Sequence, residues 1–480
     1  MHYHIVVYIL GMVLRVEGAL MLLPALVGFM YGEHQALSFL IMAAVTFVLG
    51  SVMMWKKPAK FVFYAREALV SVSLSWILIS IMGALPFVIN GDIPSFSNAL
   101  FETISGFTTT GASILDNVEG LSHASLLWRS FTHWVGGMGV IVFMLAIVPM
   151  TSGYNAQLMR AESPGPTFGK LVPKVRESAK ILYTIYFGMT IVQIVLLLLA
   201  RMPIFDAFCL SFGTAGTGGF GIRNDSVGSY TMLQQGIITV FMILFGVNFN
   251  AYYYLTGRDK KQAFRMEEVR WYFIIIAVAI LLITGNIAPM FDSVFKAFHH
   301  AAFQVGSIIT TTGYSTVDFD KWPEFSRGIL VLLMFIGACA GSTGGGIKVS
   351  RVLVMVKAVA QQIREYIHPH SVCCIEFDKK AVDKRTVKSI LVYLAVFIFI
   401  FVGSVFVLTI DPKWDLLTDF TAVAATFNNI GPGLAGVGPM TNYNGLSLLS
   451  KYVLMFDMLA GRLELYPMLV LFVPGIWKRR

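Results

Sequence analysis

Apolar residues run in long blocks along most of the chain, separated by shorter stretches rich in Lys, Arg, Gly and Thr. A helix needs about 20 residues to cross a bilayer core, and most blocks are that long, so each predicts a spanning helix. Two blocks come first, residues 5–30 and 36–55, closed by Lys56, Lys57, Pro58 and Lys60. The first is too long for the apolar region of a secretory signal and reads as a retained helix. A theme then repeats four times: a long apolar helix, a short aromatic-rich segment, a Gly/Thr-rich segment, and a second long apolar helix. The first helices cover residues 68–89, 179–199, 271–285 and 387–410, and the second 126–150, 234–255, 328–356 and 446–471. The expectation is an all-α integral membrane protein with ten transmembrane helices: two N-terminal helices plus four helix–pore loop–helix repeats around a pseudo-fourfold pore. The corresponding units are residues 1–60, 61–160, 161–257, 258–370 and 371–480.

The middle segments align with one another. They read FSNALFETISGFTTTGAS (96–113), IFDAFCLSFGTAGTGGFG (204–221), HHAAFQVGSIITTTGYST (299–316) and LLTDFTAVAATFNNIGPGL (416–434), with Gly111, Gly219, Gly313 and Gly431 equivalent. They are too short and too polar to cross, so each dips into the membrane from outside and returns. Each unit then crosses twice, and all four share one orientation. Inverted repeats would need an odd number of crossings per unit.

Non-helical backbone survives at membrane depth only where protein buries it or a water-filled cavity receives it. The Gly/Thr stretches follow short helical stretches such as 98–105 and 298–306, whose C-terminal ends aim partial negative charge inward. Glycine accepts backbone angles that a Cβ resists, so four strands can present rings of carbonyl oxygens that replace an ion's water. Thr108–Thr110 and Thr310–Thr312 can add hydroxyl oxygens. Carboxylates are few, Glu102 being the nearest in the first unit. Hard divalent cations prefer carboxylate-rich sites, so a dehydrated monovalent cation fits better.

Composition agrees: 56% of residues are hydrophobic and 13% charged, against about a quarter charged in soluble domains. The net charge of +9 could suit a nucleic-acid binder, but its placement decides otherwise. Of the 36 Lys and Arg, 24 lie in five stretches, 56–66, 160–180, 258–270, 357–388 and 478–480, while seven lie in the segments on the other side. That is the positive-inside pattern, so the basic loops face the cytoplasm and nucleic acid is not needed. Cys209, Cys339, Cys373 and Cys374 have no zinc or disulfide spacing. GTGGFG (216–221) and GPGLAG (431–436) match a dinucleotide fingerprint, but neither follows a strand. A membrane-embedded enzyme would need a His, Asp, Glu or Cys cluster at depth, and none stands out. No cofactor is expected.

At these residues the chain resembles the Trk/Ktr/HKT potassium-uptake superfamily, most closely its bacterial TrkH branch. The likeness covers nearly the whole length. It implies a bacterial inner-membrane protein for potassium uptake, with potassium, and rubidium as a surrogate, held by backbone carbonyls of Thr110, Gly111, Gly218, Gly219, Thr312, Gly313, Ile430 and Gly431. Relatives that admit sodium can carry Ser at the first position, so Gly111 favours potassium. The fourth segment departs most, with Asn428, Asn429 and Pro432. Interior Gly costs a helix about 1 kcal/mol against Ala, so Gly341, Ser342, Thr343, Gly344, Gly345, Gly346 and, just beyond, Lys348 break the second helix of the third unit. The resemblance makes this stretch a flexible gating loop; the plainer reading is a packing kink. It puts Arg462 in the ion path, against a structural ion pair as the alternative. It further implies a homodimer and a cytosolic nucleotide-binding regulatory ring docked on the basic inner loops, residues 160–180 with Pro164, Pro166 and Pro173 among them. A secondary transporter coupled to a proton or sodium gradient is the competing reading.

Overall fold

The computed structural model describes residues 2–57, 64–139, 175–257, 260–369 and 374–477. The fold is overwhelmingly helical. A two-residue hairpin, Glu376–Phe377 against Lys380–Ala381, is the departure from the all-α expectation among the described residues. Residues 1, 58–63, 140–174, 258–259, 370–373 and 478–480 lie outside the description, and with them most of the 160–180 linker, the end of the predicted 126–150 helix, Cys373, the basic stretch 478–480 and the expected unit boundaries near 60, 160, 257 and 370.

Among the described residues, six helical stretches are long and apolar enough to span a membrane: Tyr3–Met30, Gln35–Met53, Ala65–Ile89, Ala179–Leu199, Glu267–Met290 and Lys384–Leu408. They show many large apolar side chains outward, including Leu281, Phe399 and Phe406. A contiguous apolar exterior of that extent is stable in lipid and not in water. The two N-terminal helices cross at small residues: a Cβ on Gly11 would meet Gly50 O at 2.7 Å, and one on Gly50 would meet Gly11 O at 2.5 Å. Close backbone approach of this kind is the usual glue between helices in lipid.

The predicted first helices are observed as continuous rods, each beginning three or four residues earlier than expected: Ala65–Ile89, Val175–Leu199, Glu267–Ile287 and Lys384–Leu408. The second helices differ from expectation. The span predicted at 234–255 is two helices, Met232–Phe245 and Phe249–Thr256, bent by 92° at the join. Asn248 starts the second piece by accepting the Asn250 N–H (2.9 Å). The span predicted at 446–471 stops as Leu448–Arg462 and resumes as Tyr466–Val470, with Glu464 and Leu465 at positive φ (58° and 67°). The third is interrupted as expected, between Glu324–Ile336 and Val349–Ile367. At about 1.5 Å per residue, pieces of 13 to 15 residues fall short of a bilayer. They pack around the short central helices instead, and buried aromatic residues such as Trp76, Trp128 and Tyr314 fill the space between.

Candidate functional site

Four short helices end where the Gly/Thr segments begin: Phe96–Phe107, Ile204–Gly216, Val294–Ile309 and Leu416–Phe427. The same backbone device follows each. The amides of Thr110, Gly218, Thr312 and Ile430 bond back to the carbonyls of Ser105, Gly213, Ser307 and Ala425 at 2.7–2.9 Å. Two residues per segment then take positive φ: Thr109 and Gly111, Thr217 and Gly219, Thr311 and Gly313, Asn429 and Gly431. A regular strand alternates its carbonyls between two sides. Alternating ordinary and left-handed residues turns successive carbonyls toward one side instead.

The segments close on one another in chain order. A Cβ on Gly111 would stand 1.9 Å from Gly218 O. On Gly219 it would stand 2.0 Å from Thr312 O, on Gly313 1.9 Å from Ile430 O, and on Gly431 2.7 Å from Thr110 O. All eight sequence-predicted residues are therefore brought to one place. The four glycines line a single cavity of about 200 Å³. Among the described residues, the carbonyls of Thr110, Gly111, Gly218, Gly219, Thr312, Gly313 and Ile430 accept no hydrogen bond. Gly431 differs: its carbonyl accepts the Tyr443 hydroxyl at 2.6 Å.

Side chains brace this collar from behind. Glu102 points away from it, ion-paired with Arg129 (2.7 Å) and accepting the Ile114 N–H (3.0 Å). Arg129 also donates to Gly221 O (3.2 Å) and lies over the Phe220 ring. His133 contacts Gly106 O through Nδ1 (2.7 Å), while its Nε2 accepts the Phe220 N–H (3.2 Å). Both residues tie the first segment to the second. The threonine hydroxyls are engaged too: Thr108 with Ile104 O and Thr110 Oγ1, Thr310 with Gly306 O and Thr312 Oγ1. Most of the oxygens left open in these segments are main-chain ones; the Thr109 hydroxyl and the side-chain oxygens of Asn428 and Asn429 are also without a partner. The sequence reading passed over His133, Arg129 and Tyr443; polar residues inside an apolar helix, at 129 and 133, were the available clue.

The 341–346 stretch lies against the third and fourth segments. The Gly345 N–H donates to Thr311 Oγ1 (2.6 Å), and a Cβ on Gly345 would meet Asn428 O at 2.5 Å. Its carbonyls are held by the side chains of two basic residues. Arg462 donates to Thr343 O (2.8 Å) and to Gly136 O and Gly137 O (both 2.6 Å). Lys348 donates to Gly344 O and, at 3.1 Å, to Gly345 O. Glu464, two residues beyond Arg462, pairs with Arg351.

A family model described as TrkH, cation transport protein, matches residues 35–479. The chain belongs to the TrkH family. Relatives within it extend end to end. The Trk system potassium uptake protein TrkH of Salmonella typhimurium is 34% identical over 489 residues, covering 100% of both chains. That of Vibrio parahaemolyticus is 35% identical over 490 residues, again with complete coverage of both. The crystal structure of the potassium transporter TrkH from Vibrio parahaemolyticus matches the fold with a TM-score of 0.89 at 32% identity, covering 100% of each chain. Membership in the TrkH family and the outward apolar helices together make this a multi-pass membrane protein.

Proposed function

We propose that the chain takes up potassium through a channel-like pore whose selectivity filter is the collar of backbone carbonyls at Thr110, Gly111, Gly218, Gly219, Thr312, Gly313, Ile430 and Gly431. The observation that carries this reading is the set of seven unbonded carbonyls on four segments that close in a ring. Buried carbonyls normally have partners. Oxygens left without donors, on backbone bent to face one way, suit a bare monovalent cation. The relatives' names support potassium as that cation.

In this proposal the chain crosses the membrane ten times, as two N-terminal helices and four helix–pore loop–helix units around a pseudo-fourfold axis. The broken second helices then count as crossings completed by non-helical backbone. The basic loops face the cytoplasm across a bacterial inner membrane. The stretch from Gly341 to Gly346, with Ser342, Thr343 and Lys348, is the gate, and Arg462 repels a cation from the path while holding the loop. A homodimer and a cytosolic nucleotide-binding ring complete the assembly.

Purified protein in liposomes tests the reading. Rubidium uptake is expected to be competed by potassium well ahead of sodium and lithium. Equal competition by all four ions contradicts the filter. Flux that follows an imposed proton or sodium gradient at fixed voltage would replace the channel with a coupled transporter.

A further inference from the structure

Glu268 is the second residue of the helix Glu267–Ile287 and is buried. Its carboxylate collects three donors from two places. Oε1 accepts the backbone N–H of Ala340 (2.6 Å) and of Ser350 (3.1 Å). Oε2 accepts the side-chain amide of Asn248 (3.3 Å). Ala340 immediately precedes the 341–346 stretch, and Ser350 lies in the first turn of the helix that follows it. Asn248 sits in the 92° break of the second unit's second helix.

The loop is stitched to that same break by its backbone. The Cys339 N–H donates to Gly246 O (3.1 Å), and the Phe249 N–H donates to Gly341 O (3.0 Å). The Thr343 hydroxyl adds a bond to Phe245 O (3.3 Å). The break therefore frees backbone groups that the loop satisfies, and the loop frees groups that the break satisfies. One carboxylate sits at the corner where the two meet. It also stands at the N-terminal end of the 19-residue helix Val349–Ile367, where a negative charge is favoured by the helix dipole.

We propose that Glu268 is a latch: it holds both ends of the 341–346 loop against the broken helix of the second unit, so that the loop leaves its closed position only when this carboxylate releases Ala340 or Ser350. It is a positioning residue, with no contact to the ion. The inference rests on the reading of 341–346 as a gate. A plain helix cap would explain the Ser350 bond. It would not explain why the same oxygen takes the Ala340 N–H across the loop, or why the other binds the broken helix.

Glu268→Gln keeps the shape and removes the charge. In liposomes, its passive rubidium flux is expected to rise roughly tenfold, the effect of losing one charge-assisted hydrogen bond from the closed state. Glu268→Asp should fall between it and the parent chain, and Asn248→Ala should shift the flux the same way by less. An independent readout is native: Cys339 is fully buried at the foot of the loop. A membrane-permeant maleimide, mapped by mass spectrometry, should modify Cys339 slowly in the parent chain and quickly in Glu268→Gln. Thermal unfolding in detergent checks folding; if Glu268→Gln fails to fold, Glu268→Asp and Asn248→Ala decide. Deleting 341–346 separates the two claims. If the deletion leaves flux unchanged, the gate reading fails, and the latch with it. If the deletion raises flux while folded Glu268 variants change neither flux nor Cys339 labelling, the latch alone is overturned. Faster labelling without added flux would make Glu268 a structural anchor and would also overturn the proposal.

Discussion

Two kinds of glycine-rich backbone meet inside this protein, and they treat their carbonyl oxygens in opposite ways. In the collar, seven of the eight carbonyls proposed to bind potassium accept no hydrogen bond among the described residues. In the 341–346 loop, the carbonyls of Thr343, Gly344 and Gly345 are taken by Arg462 and Lys348. Both stretches use glycine to reach positive φ, at Gly111, Gly219, Gly313 and Gly431 in one and at Gly341 and Gly346 in the other. The difference lies in what fills the place in front of the oxygens. In the proposed reading the collar leaves it to a mobile cation, whereas the loop fills it with the tethered side chains of Arg462 and Lys348. A buried carbonyl without a donor costs free energy, which is the ground for proposing a visiting ligand at the open oxygens; the bonded oxygens of the loop suit the proposed gate.

The largest expected effect comes from closing the open oxygens. Gly313→Ala would put a Cβ 1.9 Å from Ile430 O at φ +84°, so rubidium uptake should fall by more than about tenfold, a barrier increase of at least 1.4 kcal/mol. Normal uptake by a folded Gly313→Ala protein would remove the collar from the pathway. Next comes the loop. Arg462→Gln removes the charge that holds Thr343 O, and basal flux should rise several-fold in the same assay. A fall in flux would show that Arg462 supports the pore rather than closes it.

A subtler change sharpens the comparison within the collar. Tyr443→Phe frees the Gly431 carbonyl, the one collar oxygen already bonded. Competition assays should show weaker potassium-over-sodium preference, with potassium flux retained. An unchanged ratio would mean that Gly431 O takes no part in selection. The smallest effect lies at the start of the helix His123–Gly137, away from both regions. Glu33 accepts the N–H groups of His123 and Ala124 (2.8 and 3.1 Å) at the start of the helix His123–Gly137. Partial burial would raise its carboxyl, but these bonds and the His123 ring outweigh that and hold it below the usual range. A lowered folded value stabilises the fold above the ordinary carboxylate range and is lost as pH falls through the folded value. Glu33→Gln should therefore lower thermal stability slightly at neutral pH, by about 1 kcal/mol, and not at strongly acid pH. Equal losses at both would assign the effect to shape rather than charge.

The comparison also explains what could be read from the chain alone. The collar was legible because its geometry needs glycine at one fixed place, and Gly111, Gly219, Gly313 and Gly431 recur after aromatic-rich segments, with threonine two residues earlier in three of the four. The 341–346 loop was legible for the same compositional reason. The partners that decide the loop's character were not. Arg462 finds its carbonyls at Gly136, Gly137 and Thr343, and no local pattern announces acceptors more than a hundred residues away. Glu268 lay before the expected helix start at 271, in the basic 258–270 stretch, where nothing local marks it out. The break at Gly246–Asn248 was hidden because a lone Gly is tolerated within a membrane helix and the apolar pattern continues across it. Its cause is tertiary: the Gly246 carbonyl and the Phe249 amide find their partners in the loop.

In the proposed reading the open carbonyls of the four segments hold a dehydrated monovalent cation. Crystals of the full chain grown with rubidium test it directly through anomalous scattering. Rubidium peaks are expected, enclosed by the carbonyls of Thr110, Gly218, Thr312 and Ile430 and of the glycines that follow them. Ordered rubidium elsewhere in the membrane region, with this collar empty, would contradict it.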